Sequence, residues 1–372
     1  MRVVLIANYA PDRQESMLRY AQMMREGLEE ARHEVTVAAP QIVLNRRHAT
    51  RGLWKWVGYA DKYWLGKGEI SRAIVRADVV HVCDHSNAVY VPRASRVPYV
   101  VTCHDLLAVR GALGEDTDCP ASPAGRRLQH AILAGLRRSH AVACVSQATL
   151  RDAGRLLRGY AGQLTVNPNA LNYPYRPLTA GEIASRLRRL PALAAGGYVL
   201  HVGSSLRRKN RETALRAVAA VAGSWPGRMV FAGQPLSAEL RGLAAQLQVS
   251  ERVVEVAKPD NELLEALYGG ALALLFPSRF EGFGWPIIEA QACGCAAICS
   301  DREPLPEVAG GAAIICDADD AAAFGRAILA LAGDAQQRAA LVQRGFTNAA
   351  RYNRTDMISR FTALYSQVAG RA

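Results

Sequence analysis

The sequence is short of the features that would anchor a chain in a bilayer or cross-link it outside the cell. No apolar run approaches the roughly 20 residues that span a membrane. The opening RVVLIANYA has neither the cationic start nor the long apolar core of a secretory signal, and reads as a first strand. Eight cysteines are present, yet none form a Cys-x-x-Cys pair, and five sit in apolar strand-like or helix-like stretches. Buried free thiols are therefore expected, rather than disulfides or structural zinc. Tandem repeats and low-complexity tracts are also missing. A cytoplasmic globular protein is the expectation.

What is there fits that expectation. The 372 residues suffice for about two ordinary domains. Half are hydrophobic and 21% are charged, a balance that excludes a disordered chain. The net charge is +12, and two thirds of that excess falls within residues 1–175. A basic half points to anionic partners, either phosphorylated substrates or lipid headgroups. Nucleic acid is not expected, because no recognised binding module accompanies the charge.

Short Val-rich runs alternate with helix-like segments in both halves. RVVLIA, EVTVAAP, VVHVCD, PYVVTCHD, AVACVS and QLTVNPN form one series. YVLHVG, RMVFAG, RVVEVA, ALALLFP, AAICSD and AAIICD form a second, with the boundary near Pro174–Ala195. Continuous apolar runs, as opposed to alternating ones, imply strands buried on both faces and hence parallel sheets. The expected fold is α/β, with two Rossmann-like domains. Ligands bind such sheets at the carboxyl ends of their strands, and two in tandem create a cleft between domains.

The most informative stretch is FPSRFEGFGWPIIEAQACGCAAICSD, residues 276–301, which reads as strand, loop, helix and strand. Glu281 precedes Gly282-Phe283-Gly284, Pro286 suits the first helical position, and Glu289 falls in the first turn or just after it. The small residues let backbone amides approach an anionic or hydroxylated ligand, and two carboxylates seven residues apart could reach opposite ends of it. An ordinary solvated loop, with Glu289 complementing the helix dipole, is the competing interpretation.

EGFGWPIIEA resembles the Glu-x7-Glu signature of the family 4 retaining glycosyltransferases, which have the GT-B architecture. YVLHVGSSLRRKN resembles the donor-phosphate loop of that family, and the segments flanking the signature fit its pattern. The resemblance implies transfer of a hexose-type sugar from a nucleotide-diphosphate sugar, of UDP or GDP type, with retention of anomeric configuration. It also implies three regions. Residues 1–175 would bind acceptor and 176–350 would bind the nucleotide sugar. Residues 351–372 would form a helix returning to the first domain.

Glu289 would bind the ribose hydroxyls. Glu281, with the amides of Phe283 and Gly284, would orient the transferred sugar. Gly203, Ser204, Gly282 and the amides of Ile287 and Ile288 would lie against the donor. Arg208 and Lys209 match the basic pair that neutralises the departing diphosphate, with no DxD metal pair placed to help. Ser204 stands where many members carry arginine, so either Arg207 or Arg208 reaches the phosphate. His104, in PYVVTCHDLL, matches a histidine that orients the reacting sugar or acceptor. No cofactor or metal is implied.

Other landmarks have plainer readings. Ser146, Arg151, Asp152, Asn167 and Asn169 match family positions, but also read as a helix cap and a turn. The first loop lacks the family's paired glycines. There Gln14, Glu15 and Ser16 face an incoming ligand, with Ser16 the expected helix N-cap. Residues 46–76 mix basic residues with Trp54, Trp56, Tyr59, Tyr63 and Trp64. They could contact a membrane peripherally, line an acceptor pocket or pack on the sheet. The expected acceptor is a glycan or lipid-linked molecule of the cell envelope, or a small molecule. A catalytically silent nucleotide-sugar or polysaccharide-binding protein and a GT-B sugar-nucleotide epimerase are the alternatives.

Overall fold

The computed structural model describes residues 1–45, 53–193 and 197–370. The chain divides into two compact units, Met1–Asn172 with Arg354–Ala372, and Tyr173–Asn353. Tyr175 falls to the second unit because its ring packs edge-on against the buried Tyr268 there.

The first unit is built on strands β1 (Arg2–Ile6), β2 (Glu34–Ala38), β3 (Val79–Val82), β4 (Tyr99–Cys103), β5 (Ala141–Cys144) and β6 (Gln163–Val166). They form one parallel sheet in the order β2-β1-β3-β4-β5-β6. The second unit repeats the plan with β7 (Tyr198–Gly203), β8 (Arg228–Gly233), β9 (Val253–Ala257), β10 (Ala273–Phe276), β11 (Ala296–Ser300) and β12 (Ile314–Cys316). Its order is β12-β11-β10-β7-β8-β9, again parallel. Every Val-rich run of the sequence became a strand. The central ones are buried along their whole length, while the edge strand β2 alternates exposed and covered positions.

Each sheet reverses strand order once, between β1 and β3 in the first unit and between β7 and β10 in the second. A crevice opens at the carboxyl ends of the strands where the order reverses.

The cysteines are free thiols, seven of them buried and Cys119 half-buried. Among the described residues, no helix is long and apolar enough to cross a membrane.

Helix Arg354–Ala369 packs on the first unit through Met357, Ile358, Phe361, Leu364 and Tyr365. It lies so close to helix Glu15–Glu30 that a Cβ on Gly27 would sit 2.5 Å from Ile358. Buried polar contacts fix its register. His81, in the middle of β3, meets the Tyr365 hydroxyl through Nδ1 (2.6 Å) and the Thr102 hydroxyl through Nε2 (2.7 Å). Thr102 in turn meets the Tyr20 hydroxyl at 2.9 Å.

Burial pushes the His81 pKa from 6.5 down to about 3. The folded state therefore holds a neutral ring that the unfolded chain would protonate. This contribution to stability is complete above pH 6.5 and is lost as pH falls towards 3. Denaturation across that window should show His81 adding about 1.4 kcal/mol per pH unit to the slope, and His81→Gln should flatten the curve.

Candidate active site

The loops that follow β7 and β10 meet at the second unit's reversal point. After β7, Gly203 takes a φ of 148° and the chain enters a tight turn, Arg207–Lys209. Asn210 follows with φ 53°, before helix Arg211–Ala220. After β10, residues 277–284 lead into helix Trp285–Ala292, whose cap Gly284 has φ 106°. A Cβ at Gly284 would stand 2.7 Å from Leu305, so backbone and packing both demand glycine.

The two loops are tied together. The Asn210 amide donates to the carbonyls of Pro277 (3.0 Å) and Ala318 (2.8 Å). The Arg279 amide donates to the Arg208 carbonyl at 2.8 Å, and the Arg208 guanidinium to the Phe280 carbonyl at 2.9 Å. Arg211 is buried and secures the start of the first loop. It donates to the carbonyls of Gly203 (2.7 Å) and Gln234 (2.8 Å), and lies 5.2 Å over the Phe231 ring.

This scaffold brings Glu281, Arg208 and Lys209 into one cluster. Glu281 Oε1 accepts from Lys209 Nζ at 2.6 Å, and Oε2 accepts from Arg208 Nη1 at 3.0 Å. The Glu281 side chain is only 8% exposed, and Lys209 12%. Lys209 Nζ also lies 5.2 Å over the Phe276 ring. Burial opposes ionisation of Glu281, but the two cations overcome it and hold the carboxyl below its ordinary range. Burial dominates at Lys209 and lowers its pKa, an effect that Glu281 partly offsets. Two cations against one carboxylate leave the cluster net positive, which suits it to an anion (Arg208 and Lys209 being charge-assisted donors).

Glu289 lies just after the first turn of its helix, as expected, while Pro286 stands at the second helical position and not the first, because the helix starts at Trp285. It is buried, and its Oε2 accepts from the Tyr268 hydroxyl at 2.8 Å. The Ile287 amide donates to the Gly284 carbonyl at 3.0 Å, and the side chains of Ile287 and Ile288 are core residues. Phe283 packs between Trp285 and Tyr352. Ser204 and Gly282 are half-buried in their loops. Arg207 is exposed, so Arg208 is the arginine that enters the cluster.

His104 belongs to the first unit, just beyond β4. It is buried, its Nε2 lies 3.0 Å from the Cys83 carbonyl, and its ring stands edge-on to Tyr20 at 4.7 Å. Burial lowers its pKa. Beside it the Asp84 carboxylate is buried yet held well below its ordinary pKa. His85, the Ser86 hydroxyl and an Asn8 amide surround it and outweigh the cost of burial.

Several other landmarks make structural contacts. Ser146 caps helix Gln147–Leu156 by accepting from the Thr149 amide at 3.1 Å. Asp152 joins an ion-pair cluster with Arg110, Arg155 and Glu115. Asn167 is occupied by the Met357 carbonyl and by Arg360. Asn169 is buried. Ser16 is not the N-cap, because the helix begins at Glu15 and its cap is Gln14. Sequence reasoning missed Arg211 and Tyr268. Neither carries a motif; Arg211 reaches Gln234, 23 positions on, and Tyr268 reaches Glu289, 21 positions on. Among the described residues, no group of three His, Cys, Asp or Glu side chains is placed to hold a metal.

Two parallel six-stranded units of this kind, with phosphate-compatible loops at the reversal point, define the GT-B class of α/β proteins. Solved structures bear this out. Sucrose-phosphate synthase from Thermosynechococcus elongatus superposes with TM-score 0.76 at 19% identity, covering 100% of both chains. HepE of Anabaena, in complex with UDP and glucose, gives 0.75 at 15% identity, over 99% of this chain and 100% of that one. WaaG, a glycosyltransferase of lipopolysaccharide biosynthesis, gives 0.74 at 13% identity, over 98% and 99%.

The particular family follows from sequence. The Glycosyltransferase Family 4 pattern matches residues 17–173, and that of Glycosyl transferases group 1 matches residues 193–347. The chain belongs to the family 4, group 1 glycosyltransferases. It is 27% identical over 236 residues to the O-antigen chain mannosyltransferase B of Escherichia coli, covering 61% of each protein. It is 27% identical over 324 residues to D-inositol 3-phosphate glycosyltransferase 1 of Catenulispora acidiphila, covering 80% of this chain and 75% of that protein.

Because Glu281 raises the pKa of buried Lys209, Glu281→Gln should lower that pKa further. Binding of UDP or GDP, titrated by calorimetry against pH, should then fail at a lower pH in the variant than in the parent protein.

Proposed function

We propose that this protein transfers a hexose-type sugar from a nucleotide-diphosphate sugar, of UDP or GDP type, to an acceptor hydroxyl, with retention of configuration and without a metal ion. The observation that carries this reading is the net-positive Glu281–Arg208–Lys209 cluster at the β7/β10 reversal. In such a transfer the bond from the sugar's anomeric carbon to phosphate oxygen breaks. Negative charge then builds on the diphosphate, while the sugar becomes oxocarbenium-like. Arg208 and Lys209 are fixed donors for that charge, placed in a partly dehydrated loop where they need little reorganisation.

Glu281 would accept a hydroxyl of the transferred sugar while keeping both cations aimed. Glu289, steadied by Tyr268, would accept from the ribose hydroxyls. Retention is consistent with front-side attack. The acceptor oxygen bonds to the face the diphosphate leaves, and its proton passes to the departing phosphate oxygen. His104, kept neutral by burial, would orient the reacting sugar or acceptor. Closure that excludes water would protect the donor from hydrolysis.

The acceptor would be a glycan or lipid-linked molecule, as in envelope polysaccharide synthesis. The names of the mannosyltransferase and of WaaG point the same way. Peripheral membrane contact is part of this reading. Leu44, Trp56, Trp64 and Leu65 are exposed on the basic first unit, the combination that partitions into an anionic interface. Residues 46–52 of the basic stretch lie outside the described residues. Sedimentation should show the protein on vesicles rich in phosphatidylglycerol but not on neutral ones, with Trp64→Ala weakening the association.

Donor turnover with purified protein tests the main claim. Lys209→Ala should reduce kcat by about 100-fold or more. Glu289→Ala should chiefly raise KM for the donor, and chelators should leave the rate unchanged. Activity that vanishes with chelation would overturn the assignment of the cations.

A further inference from the structure

The proposed chemistry leaves one buried charge unaccounted for. Arg211 opens helix Arg211–Ala220 in the second unit and is 2% exposed. Its Nη1 donates to the Ser205 hydroxyl (2.9 Å) and the Gln234 carbonyl (2.8 Å), and its Nη2 to the Gly203 carbonyl (2.7 Å). Its Nε finds no partner among the described residues, and no carboxylate among them pairs with it. Glu255 acts on it from a distance, but is itself bonded to Arg241 (3.0 Å) and to the Leu236 amide (2.6 Å).

The placement is unfavourable on three counts. Burial without a counter-ion strips a guanidinium of its hydration, and pushes the Arg211 pKa from 12.5 down to about 10. The first position of a helix is where the macrodipole opposes a cation. Lys209, just before it in the chain, repels it. Bracing alone does not call for that charge, because a neutral amide could donate to the same carbonyls with less desolvation.

The two cations rest on a row of rings that crosses three neighbouring strands. His201 of β7 lies 6.2 Å from the Phe276 ring of β10 and 5.6 Å from the Phe231 ring of β8. Lys209 Nζ stands over Phe276 and the Arg211 guanidinium over Phe231, each 5.2 Å from the ring centre. His201 between them is fully buried, and burial together with the two cations holds it neutral. The floor thus seats Arg211 beside Glu281, Arg208 and Lys209 and adds no charge of its own. One carboxylate faces three cations, a surplus of two positive charges. The diphosphate of a nucleotide sugar carries two negative charges, and a third builds on it as the bond to the sugar breaks.

We infer that Arg211 is a third cation of the donor-phosphate site, acting on the diphosphate through its field and through the Gly203–Ser205 segment that it holds. Because it works through that segment and at a distance, it is a positioning residue. The inference rests on the glycosyltransferase reading and adds to it a charge outside the basic pair Arg208–Lys209. An anion at the loop relieves the repulsion between Lys209 and Arg211, which turns an unfavourable placement into affinity.

Calorimetry of UDP and GDP on the full chain, repeated across pH, would test it. Arg211→Gln keeps a donor but removes the charge, and should weaken whichever diphosphate the unaltered protein binds by about tenfold or more. Arg211→Lys, which keeps the charge, should stay within about threefold. Arg211 pushes the Lys209 pKa down, so in Arg211→Gln the remaining binding should persist to higher pH than in the unaltered protein. That displacement is opposite in sign to the one expected for Glu281→Gln. A loop that had merely collapsed would lose affinity at every pH without it. A basic limit that stays in place would overturn the inference.

Should Arg211→Gln fail to fold, the unaltered protein with isotope-labelled arginine supplies the reading. The Nε–H resonance of Arg211, assigned through its own backbone, should shift on saturation with the diphosphate. A resonance that stays put would overturn the inference. Diphosphate binding indifferent to Arg211→Gln would sink this inference and leave the glycosyltransferase reading standing. Binding of neither diphosphate by the unaltered protein, with no donor turnover, would sink that reading itself.

Discussion

A carboxylate that stabilises two cations inside a nearly dry loop is the constraint on which the second unit's chemistry depends. Burial lowers the pKa of Lys209, and Arg208 beside it pushes the same way. Glu281 offsets both effects. The surplus positive charge therefore belongs to the group of three, and no single member could be exchanged without disturbing the other two. Asn210, Arg211 and the Arg279 amide serve the same end from further out, holding the two loops at the separation the ion pairs need.

The fold places this cluster without help from any long-range signal. Parallel strands in an order that reverses once must open a crevice beside the central pair, and the residues immediately after those strands must line it. Both units obey the rule with different side chains. The second lines its crevice with unbalanced cations. Among the described residues, the first places Trp54, Tyr59, Gln14 and the Asp12–Lys62 ion pair around a cavity.

Most of the architecture was legible in the sequence because burial on both faces leaves continuous Val-rich runs, and no helix of this chain imitates them. Glu281, Arg208 and Lys209 were legible because glycine, proline and charge crowd into short loops at recognisable spacing. What escaped has a common physical cause. Arg211 secures Gly203 and Gln234, and Tyr268 steadies Glu289, but each does so across the fold with no local pattern to betray it. Asp152, a family landmark, sits here in an ion-pair cluster with Arg110 and Arg155. At Ser16 a good capping residue lost to a helix that simply began two residues earlier, with Gln14 as its cap. The aromatic stretch had three readings, and the structure divides it. Trp54 and Tyr59 turn to the cavity, while Trp56 and Trp64 face outward.

The first unit is discontinuous. Its sheet is made from the opening part of the chain, but the helix that covers His81 and Thr102 comes from Arg354–Ala369. The cover of one buried histidine is thus drawn from the far end of the sequence: without Arg354–Ala369, His81 would lose the Tyr365 hydroxyl and the Phe361 ring against it, and a neutral imidazole would face water inside an otherwise apolar sheet.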